Sequence, residues 1–482
     1  MPSGDGEFAS STVSGNTRQL GERNMAEQFE NQGGVATSDP PKILRWLTSK
    51  YMTRIASRAH LERGRARAEK KRARAGEPHR VEYFHQIDDG YSHLAAQLLR
   101  PLLDRYDVEL VFHLVSAETG ANLPEPDLLL RLSRYDSAKV APQYGLRFPE
   151  NAGAPDRTLL ETASRILAAQ SNDTIPEIAV AVGDALWAGD AAALGELARC
   201  HGTVDAGEVV ALVSQGNDRR SKLAHYSGGM FYYAGEWYWG ADRFYQLEKR
   251  LVDLGASRAA QDALLCPRPE IEFGPRRDDG SLTFEIYASL RSPYTSIIFD
   301  SALELGRRTG VNTVVRPVLP MVMRGVPASR QKGQYIFSDA AREARTLGLD
   351  WGKVYDPIGE PVRNAYSLYP WAAEHGKGPQ LLSHFLQAAF REAVNTDTEK
   401  GLKIVVERAG LDWNEARKIV GNRDWEDEIE ENRLAMYAFG SWGVPSFRLL
   451  DANGEEHLAL WGQDRLWLFS REIQHLLGHR AT

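Results

Sequence analysis

Short apolar segments alternate with longer segments of helical periodicity along most of the chain, and their order repeats. Residues 81–86 and 108–115 have the pattern of strands, and the helical segment between them contains Pro101 near its middle or at a break. Residues 282–290 and 311–320 flank a second helical segment. A strand, a helix and a second strand with short connections form a parallel unit, so the sequence predicts two α/β domains.

Each unit continues into a mostly helical segment before its last strands. In the C-terminal half, residues 376–421 carry apolar side chains at i, i+3 and i+4 over several turns. Residues 441–462 predict two strands with a tight turn at Asn453-Gly454, which is a strong hairpin signal. Residues 464–478 predict a closing amphipathic helix. A helical insertion inside an α/β domain is the simplest interpretation of this order.

Three segments of the N-terminal half match segments of the C-terminal half in the same order. Residues 84–92 align without gaps to residues 287–295, so that Asp89 stands opposite Ser292. The other two matches pair Asp136 with Asp339, and residues 239–251 with 461–473. These matches predict a tandem of two related domains.

The predicted organisation has five parts. They are a disordered tail (1–40), a basic amphipathic helix (41–78), a first domain (79–256), a linker rich in Pro and Gly (257–281) and a second domain (282–482). The tail is rich in Gly, Ser, Asn and Gln, so it cannot bury enough apolar surface to offset the entropy of ordering.

The predicted basic helix has two possible roles. Residues 42–77 contain twelve Lys and Arg against three Glu, and Leu44, Leu47, Tyr51 and Ile55 recur at helical spacing. One interpretation is a surface for RNA, acidic lipid or an acidic partner. The other is a solvated helix that packs its apolar stripe on the body of the protein.

Composition narrows the class of protein. No apolar run approaches the roughly 20 residues that span a bilayer, and the N-terminus lacks the layout of a signal peptide, so we expect a cytoplasmic protein without a membrane span. The two cysteines, Cys200 and Cys266, exclude a CxxC redox pair and a four-cysteine zinc site. The net charge of −7 argues against a protein that coats nucleic acid.

Three short motifs of the C-terminal half carry a family resemblance. They are Ser-Pro-Tyr at 292–294, GVPSF at 443–447 and WGQDR at 461–465. Their order and spacing resemble the DsbA-like thioredoxin superfamily, and more narrowly its branch of 2-hydroxychromene-2-carboxylate isomerases and kappa-class glutathione transferases. The resemblance covers residues 282–478 well and about 80–255 weakly. It implies two thioredoxin-like domains, each a four- or five-stranded sheet with an inserted helical subdomain.

The resemblance also implies chemistry at Ser292. Redox relatives have the first Cys of CxxC where Ser292 stands, and this branch binds glutathione there. The N-terminus of a helix favours an anion, so a bound thiol would ionise there and accept a hydrogen bond from the Ser292 hydroxyl. From the residues alone, Ser292 followed by Pro293 is equally well an ordinary helix cap.

The remaining candidate residues are also implied by the resemblance. Val444-Pro445 matches a pair whose peptide bond is cis, and it would present the Val444 backbone to the cysteinyl part of glutathione. Asp464 and Arg465 would hold the γ-glutamyl end, unless the WG-x-DR motif is architectural. Candidate substrate contacts are Lys332, Tyr335 and Asn364.

The N-terminal half departs from the family pattern at both critical positions. Asp89-Gly90 replaces Ser-Pro, and a gapped alignment puts Gly229-Met230 opposite Val444-Pro445. Since an acidic group would repel a thiolate, we expect this half to be silent in thiol chemistry. The predicted function is a glutathione-dependent isomerase or transferase acting on a small organic substrate without a metal. The alternative is a redox-inactive thioredoxin-like binding or scaffold protein.

Overall fold

A computed structural model describes residues 39–118, 120, 124–259, 263–326 and 328–479. The predicted disordered tail therefore lies outside the described residues, except for its last two positions. No helix in the described ranges is long and apolar enough to cross a membrane.

The N-terminal half is built on a four-stranded sheet with helices between its strands. The strands are β1 (Arg80–Gln86), β2 (Glu109–Val115), β3 (Met230–Tyr233) and β4 (Glu236–Trp239). They lie in the order β2-β1-β3-β4, with β2 parallel to β1 and the other neighbours antiparallel. The helices of this half are α3 (Gly90–Ala96), α4 (Leu99–Arg105), α5 (Pro126–Val140), α6 (Arg157–Ala168), α7 (Ile175–Trp187), α8 (Ala191–His201), α9 (Ala206–Lys222) and α10 (Phe244–Asp253).

The C-terminal half has a sheet of the same order and the same strand directions. Its strands are β5 (Thr283–Ala288), β6 (Asn312–Pro317), β7 (Ser446–Leu450) and β8 (Glu456–Trp461), in the order β6-β5-β7-β8. Its helices are α11 (Pro293–Thr309), α12 (Arg330–Thr346), α13 (Glu360–Ser367), α14 (Tyr369–Glu374), α15 (Gly378–Phe390), α16 (Glu399–Arg408), α17 (Trp413–Ile419), α18 (Glu426–Ala438) and α19 (Leu466–His479). The predicted α/β architecture with helical insertions is confirmed for this half.

Local details differ from the sequence expectation at two places. The helix expected around Pro101 is two helices, and the break falls at residues 97–98, ahead of the proline. The hairpin between β7 and β8 forms, but its connection is longer than a tight two-residue turn. The Asp451 side chain accepts hydrogen bonds from the backbone N–H groups of Asn453 and Glu455, which holds a wider loop closed.

The predicted single basic helix is two helices, α1 (Lys42–Ala56) and α2 (Arg58–Ala75). They are separated at Ser57, whose side chain accepts a hydrogen bond from the His60 backbone and so caps α2. The interpretation in which the apolar stripe packs on the body is wrong for Leu44, Leu47 and Tyr51, which are exposed, whereas Ile55 does pack against the core of the C-terminal half.

The register of the two sheets corrects the gapped alignment by one residue. Met230 pairs with Phe84 in the first sheet, as Ser446 pairs with Tyr287 in the second. The Gly229 carbonyl accepts from the backbone N–H of residue 240, as the Pro445 carbonyl accepts from that of residue 462. Gly228-Gly229, and not Gly229-Met230, therefore occupies the position of Val444-Pro445.

One cluster of buried ion pairs joins the two halves at the start of α19. The Arg465 guanidinium donates to both oxygens of Asp136 at 2.7 and 2.6 Å, and to both oxygens of Asp242 at 2.9 and 2.7 Å. The hydroxyl of Tyr91 also donates to Asp136, at 2.7 Å. Both aspartates belong to the N-terminal half, so this arginine reaches across the interface.

A second cluster has the same composition with the halves exchanged. Arg243 of the N-terminal half donates to Asp339 on α12 at 3.0 Å and also pairs with Asp464. The hydroxyl of Tyr294 donates to Asp339 at 2.9 Å. The contacts are therefore reciprocal, because the arginine of each half binds an aspartate of the other half.

A close helix–sheet approach in the N-terminal half supports a stability prediction. A methyl group added at Gly216 on α9 would meet the backbone carbonyl oxygen of Leu114 on β2. We expect Gly216→Ala to destabilise the protein by about 1–3 kcal/mol, because the backbone must shift. Gly195→Ala on α8 is the matched control, since nothing lies within 4 Å there. It should stabilise by about 0.5–1 kcal/mol. Urea unfolding that gave both changes the same sign would contradict the prediction.

Candidate functional site

Ser292 lies at the N-terminus of helix α11, a few residues after strand β5. Its side-chain oxygen accepts a hydrogen bond from the Thr295 backbone at 3.1 Å, and Pro293 occupies the first helical position. Both features make Ser292 the N-cap of a 17-residue helix. Uncapped N–H groups and the helix dipole concentrate positive potential at this end, which favours an anion beside Ser292.

Val444 and Pro445 form the other side of the same corner. The peptide bond between them is cis, as the family resemblance implies. The Ser292 hydroxyl donates a hydrogen bond to the Val444 carbonyl at 3.2 Å. This separation is at the long end for a hydroxyl donor, so the hydroxyl can exchange this partner for a better one at little cost.

A cavity of about 220 Å³ opens beside this corner, and both halves line it. From the C-terminal half it is lined by Ser289, Arg291, Ser292, Lys332, Trp442, Val444 and Trp461 among others. From the N-terminal half it is lined by Gln86, Asp89, Tyr91, Glu118, Tyr226 and Trp239 among others. A mostly apolar lining with a few convergent polar groups is typical of small-molecule sites.

Burial shifts the pKa of two titratable groups in the cavity wall. It lowers the pKa of Lys332 to about 8, and the ammonium group lies 5.9 Å from the centre of the Tyr226 ring. Burial also raises the pKa of Asp89 to about 6, although hydrogen bonds from Tyr91 and Ser92 oppose the rise. Around pH 7 the wall therefore carries a cation at Lys332, which could attract an anionic ligand group, and an anion at Asp89.

Arg291 also contributes a positive charge to the wall, and Asp356 balances it. Its guanidinium donates to both oxygens of Asp356 at 2.8 and 3.0 Å. This bidentate pair fixes the segment between β5 and α11 against the residues that precede α13. Arg291 therefore supports the shape of the corner that presents Ser292.

Asp464 and Arg465 lie in the ion-pair clusters between the halves. Burial alone would raise the pKa of Asp464, but Arg243 and Arg465 hold it well below its ordinary value. Asp464 also borders a smaller cavity of about 60 Å³, together with Pro445 and Trp461. These contacts support the architectural interpretation of the WG-x-DR motif, and a role in holding a ligand stays a prediction.

The other predicted substrate residues are not brought into the larger cavity. Tyr335 is buried on α12, where its ring packs edge-on against His225 of the N-terminal half. Asn364 lies on α13 and, like Tyr335, is not among the residues that line the cavity. Of the three substrate candidates, only Lys332 faces the cavity beside Ser292.

Sequence reasoning missed the contribution of the N-terminal half. Asp89 caps α3 as Ser292 caps α11, so the alignment between them is structurally correct. The sequence predicts Asp89 only to silence its own half, yet Asp89 and Trp239 both line the cavity beside Ser292. The aligned pair Trp239 and Trp461 was the available signal, because both tryptophans line this cavity.

The two cysteines are separate from this cavity. Cys200 is exposed on α8, and Cys266 is buried beside Glu248 with a pKa raised by burial. Neither is among the residues that line the cavity. Thiol chemistry beside Ser292 would therefore require a thiol that arrives with the ligand.

Comparisons with known proteins find one family model and several solved structures that are similar to part of this chain. Residues 283–474 match the family model of the DSBA-like thioredoxin domain. A probable DsbA oxidoreductase from Streptomyces coelicolor is 22% identical, with 41% of this chain and 90% of that chain covered and a TM-score of 0.33. A 2-hydroxychromene-2-carboxylate isomerase is 17% identical, with 41% and 98% covered and a TM-score of 0.35. Among curated proteins, none matches the chain. The family match thus concerns residues 283–474, which are similar to a DsbA-like thioredoxin domain.

Proposed function

We propose that the C-terminal half is a glutathione-dependent isomerase or transferase that holds the glutathione thiolate at Ser292. The observation that carries the proposal is the position of the Ser292 hydroxyl. It lies at the N-terminus of α11, 3.2 Å from the Val444 carbonyl, in the wall of a cavity large enough for a small organic molecule. No cysteine lines that cavity, which favours a thiol from the ligand over dithiol chemistry.

The residues of this corner suit a peptide thiol. The Val444 carbonyl can accept a hydrogen bond from a peptide N–H, which frees the Ser292 hydroxyl to turn towards sulfur. Bound glutathione would supply a nucleophile that adds to an electron-poor double bond and, in an isomerase, leaves again after rotation without net oxidation. Helix α11 and Ser292 stabilise negative charge at this position, and the apolar walls exclude water.

Lys332 and Asp464 have secondary parts in this proposal. Lys332 faces the cavity and would receive a carboxylate of the substrate. Asp464 would meet the ammonium group of glutathione only by sharing a carboxylate that already binds Arg243. The proposal therefore depends on Ser292 and Val444, and the part of Asp464 is a separate prediction.

We also propose that the two halves are tandem copies of one ancestral domain. The identical strand orders and the reciprocal ion pairs of Arg243 and Arg465 support this proposal. Asp89 and Gly228-Gly229 at the equivalent corner favour loss of thiol chemistry in the first copy. The first copy would then contribute part of the lining of the cavity beside Ser292 in the second copy.

A covalent trap tests where the sulfur of glutathione binds. In a chain carrying Cys200→Ser, Ser292→Cys would place a thiolate at the corner that can attack the disulfide of oxidised glutathione. That reaction forms a mixed disulfide and releases one glutathione thiolate. We expect its rate, followed by intact mass, to saturate with oxidised glutathione, because binding precedes reaction.

The matched control is Ser57→Cys in the same chain. Ser57 also caps a long helix, and it lies outside the cavity. Its modification rate should rise linearly with the concentration of oxidised glutathione. Linear and equal rates at both positions would refute a glutathione site at Ser292. If the rate saturated at Ser292→Cys but the unsubstituted chain turned over no electron-poor substrate, the result would favour a binding protein without catalysis.

The pKa of Lys332 predicts the pH dependence of carboxylate binding. Since its pKa is about 8, the side chain is charged at pH 7 and mostly neutral at pH 9.5. We expect the affinity for cinnamate, a simple aromatic carboxylate, to fall about tenfold over this range, as judged by calorimetry. Asp89 titrates near pH 6 and is already ionised throughout this interval.

Two substitutions at Lys332 separate this charge from the rest of the cavity. Lys332→Arg should keep cinnamate affinity nearly constant up to pH 9.5, because arginine stays protonated. Lys332→Met should bind weakly at every pH. An unchanged pH profile in Lys332→Met would show that another group controls binding.

A further inference from the structure

Helix α1 docks on the C-terminal half through its polar face. Buried Arg45 donates to the carbonyl of Ile358 at 2.6 Å, and buried Ser49 accepts from the backbone of Asp356 at 2.9 Å. Thr53 exchanges hydrogen bonds with the backbone of Val354. These contacts, together with Met52, Ile55 and Ala56 packed against the core of the C-terminal half, fix which face of α1 points inwards. The larger apolar residues of its first turns lie on the other side.

The outward face of α1 carries five large apolar side chains, here called the α1 stripe. They are Ile43, Leu44, Trp46, Leu47 and Tyr51, and their exposed fractions lie between 42% and 77%. Only three other large apolar residues in the described part of the chain are exposed to a similar degree, and they lie scattered. An exposed apolar patch on one helix face marks an interaction surface.

Basic residues surround the α1 stripe. Helix α1 has four basic residues and no acidic one, and α2 has eight basic residues against two acidic ones. By helical periodicity, Lys50 and Arg54 lie on the same face as Ile43 and Leu47. This segment is thus strongly positive in a chain whose net charge is −7.

We propose that α1 and α2 form a docking surface for an anionic lipid bilayer. The α1 stripe would enter the boundary between headgroups and acyl chains, while Lys42, Lys50 and Arg54 contact anionic headgroups. Long basic side chains can extend to the headgroups while their stems cover apolar surface. This proposal is independent of the function proposed for the Ser292 cavity.

The composition of the surface favours lipid over RNA and over a second copy of the chain. RNA offers phosphates and stackable bases, which leave the aliphatic side chains of Ile43, Leu44 and Leu47 without a partner. A second copy of the chain would bring the same dense positive charge against itself. An anionic bilayer offers both an apolar interior and negative headgroups.

Vesicle cosedimentation of the full chain tests the proposal. We expect binding to vesicles of phosphatidylcholine with phosphatidylserine, and weak binding to pure phosphatidylcholine. Ile43→Ser combined with Leu47→Ser should lower binding to the anionic vesicles at least tenfold, from the apolar area no longer buried. The matched control is Val210→Ser with Leu434→Ser, which removes two exposed apolar side chains elsewhere and should leave binding unchanged.

Further variants test whether the positive charge of α1 is required for binding to anionic vesicles. Lys42→Gln and Lys50→Gln should each weaken binding roughly fivefold, and added salt should weaken it further. The proposal is overturned if the stripe variant binds anionic vesicles like the control pair. It is also overturned if the chain self-associates through the stripe, or if a single-stranded RNA binds and anionic vesicles do not. A chain without residues 1–38 provides a last control. If only this shortened chain bound anionic vesicles, residues 1–38 would be the partner that covers the α1 stripe, and the proposal would be overturned.

Discussion

Replacement of Arg465 by alanine should lower the free energy of unfolding by about 3–5 kcal/mol, the largest effect expected of any substitution considered for this chain. The guanidinium is almost fully buried and makes four hydrogen bonds to Asp136 and Asp242, all between 2.6 and 2.9 Å. Its removal leaves two buried carboxylates without a compensating charge, and it also cuts a connection between the halves. Urea unfolding followed by circular dichroism measures the change.

A surface ion pair provides the control for this substitution. Arg157 and Glu161 form a pair at 3.0 Å on α6, and the arginine side chain is 92% exposed. Arg157→Ala should change stability by less than about 1 kcal/mol. If Arg465→Ala behaved like Arg157→Ala, the buried ion pairs of Arg465 would be unimportant for stability.

Sequence matching found the residues of these clusters but not their contacts. Asp136 aligns with Asp339, and the Asp-Arg pair at 242–243 aligns with the pair at 464–465. An alignment of two halves indicates equivalent positions within each domain. That Arg243 bonds Asp339 depends on how the domains pack face to face, and apolar periodicity contains no information about that packing. Asp464 and Arg465, which the resemblance assigns to glutathione binding, are thus paired with residues of the N-terminal half, and their role in holding a ligand stays a prediction.

Helix α1 illustrates a second limit of prediction from sequence. Periodicity correctly placed Leu44, Leu47 and Tyr51 on one face, and the usual rule is that such a face packs inwards. Here buried Arg45 and Ser49 bind backbone atoms of the C-terminal half, and they share the inward face with Met52, Ile55 and Ala56. The signal was present in the sequence only as a cluster of basic residues around the stripe.

Prediction was most successful at the corner around Ser292. The helix cap formed by Ser292 and Pro293 follows from residue type, whereas the cis bond of Val444-Pro445 was implied only by the family resemblance. The walls of the cavity could not be foreseen in the same way. Asp89 and Tyr226 come from the other half of the chain, and only its packing on the C-terminal half brings them beside Lys332.

Loss of the Ser292 hydroxyl should raise the pKa of bound glutathione by about one to two units. A hydrogen bond to a charged group contributes roughly 1.5–3 kcal/mol, and one pKa unit corresponds to about 1.4 kcal/mol. In Ser292→Ala the helix N-terminus remains, so binding persists while ionisation of the thiol becomes harder. Thiolate absorbance in the ultraviolet, measured against pH with saturating glutathione, reports the shift.

The pH profile of this variant separates a chemical role from a structural one. Ser292→Ala also removes a helix cap, which costs about 1 kcal/mol of stability whether or not Ser292 binds sulfur. Ser57→Ala removes a comparable cap, from the His60 backbone, and should leave the glutathione pKa unchanged. Any thiolate-dependent rate of Ser292→Ala should fall about tenfold or more near pH 7 and recover at high pH, where the thiol ionises without help. A loss of equal size at every pH, with an unchanged thiol pKa, would instead assign Ser292 only the role of capping α11.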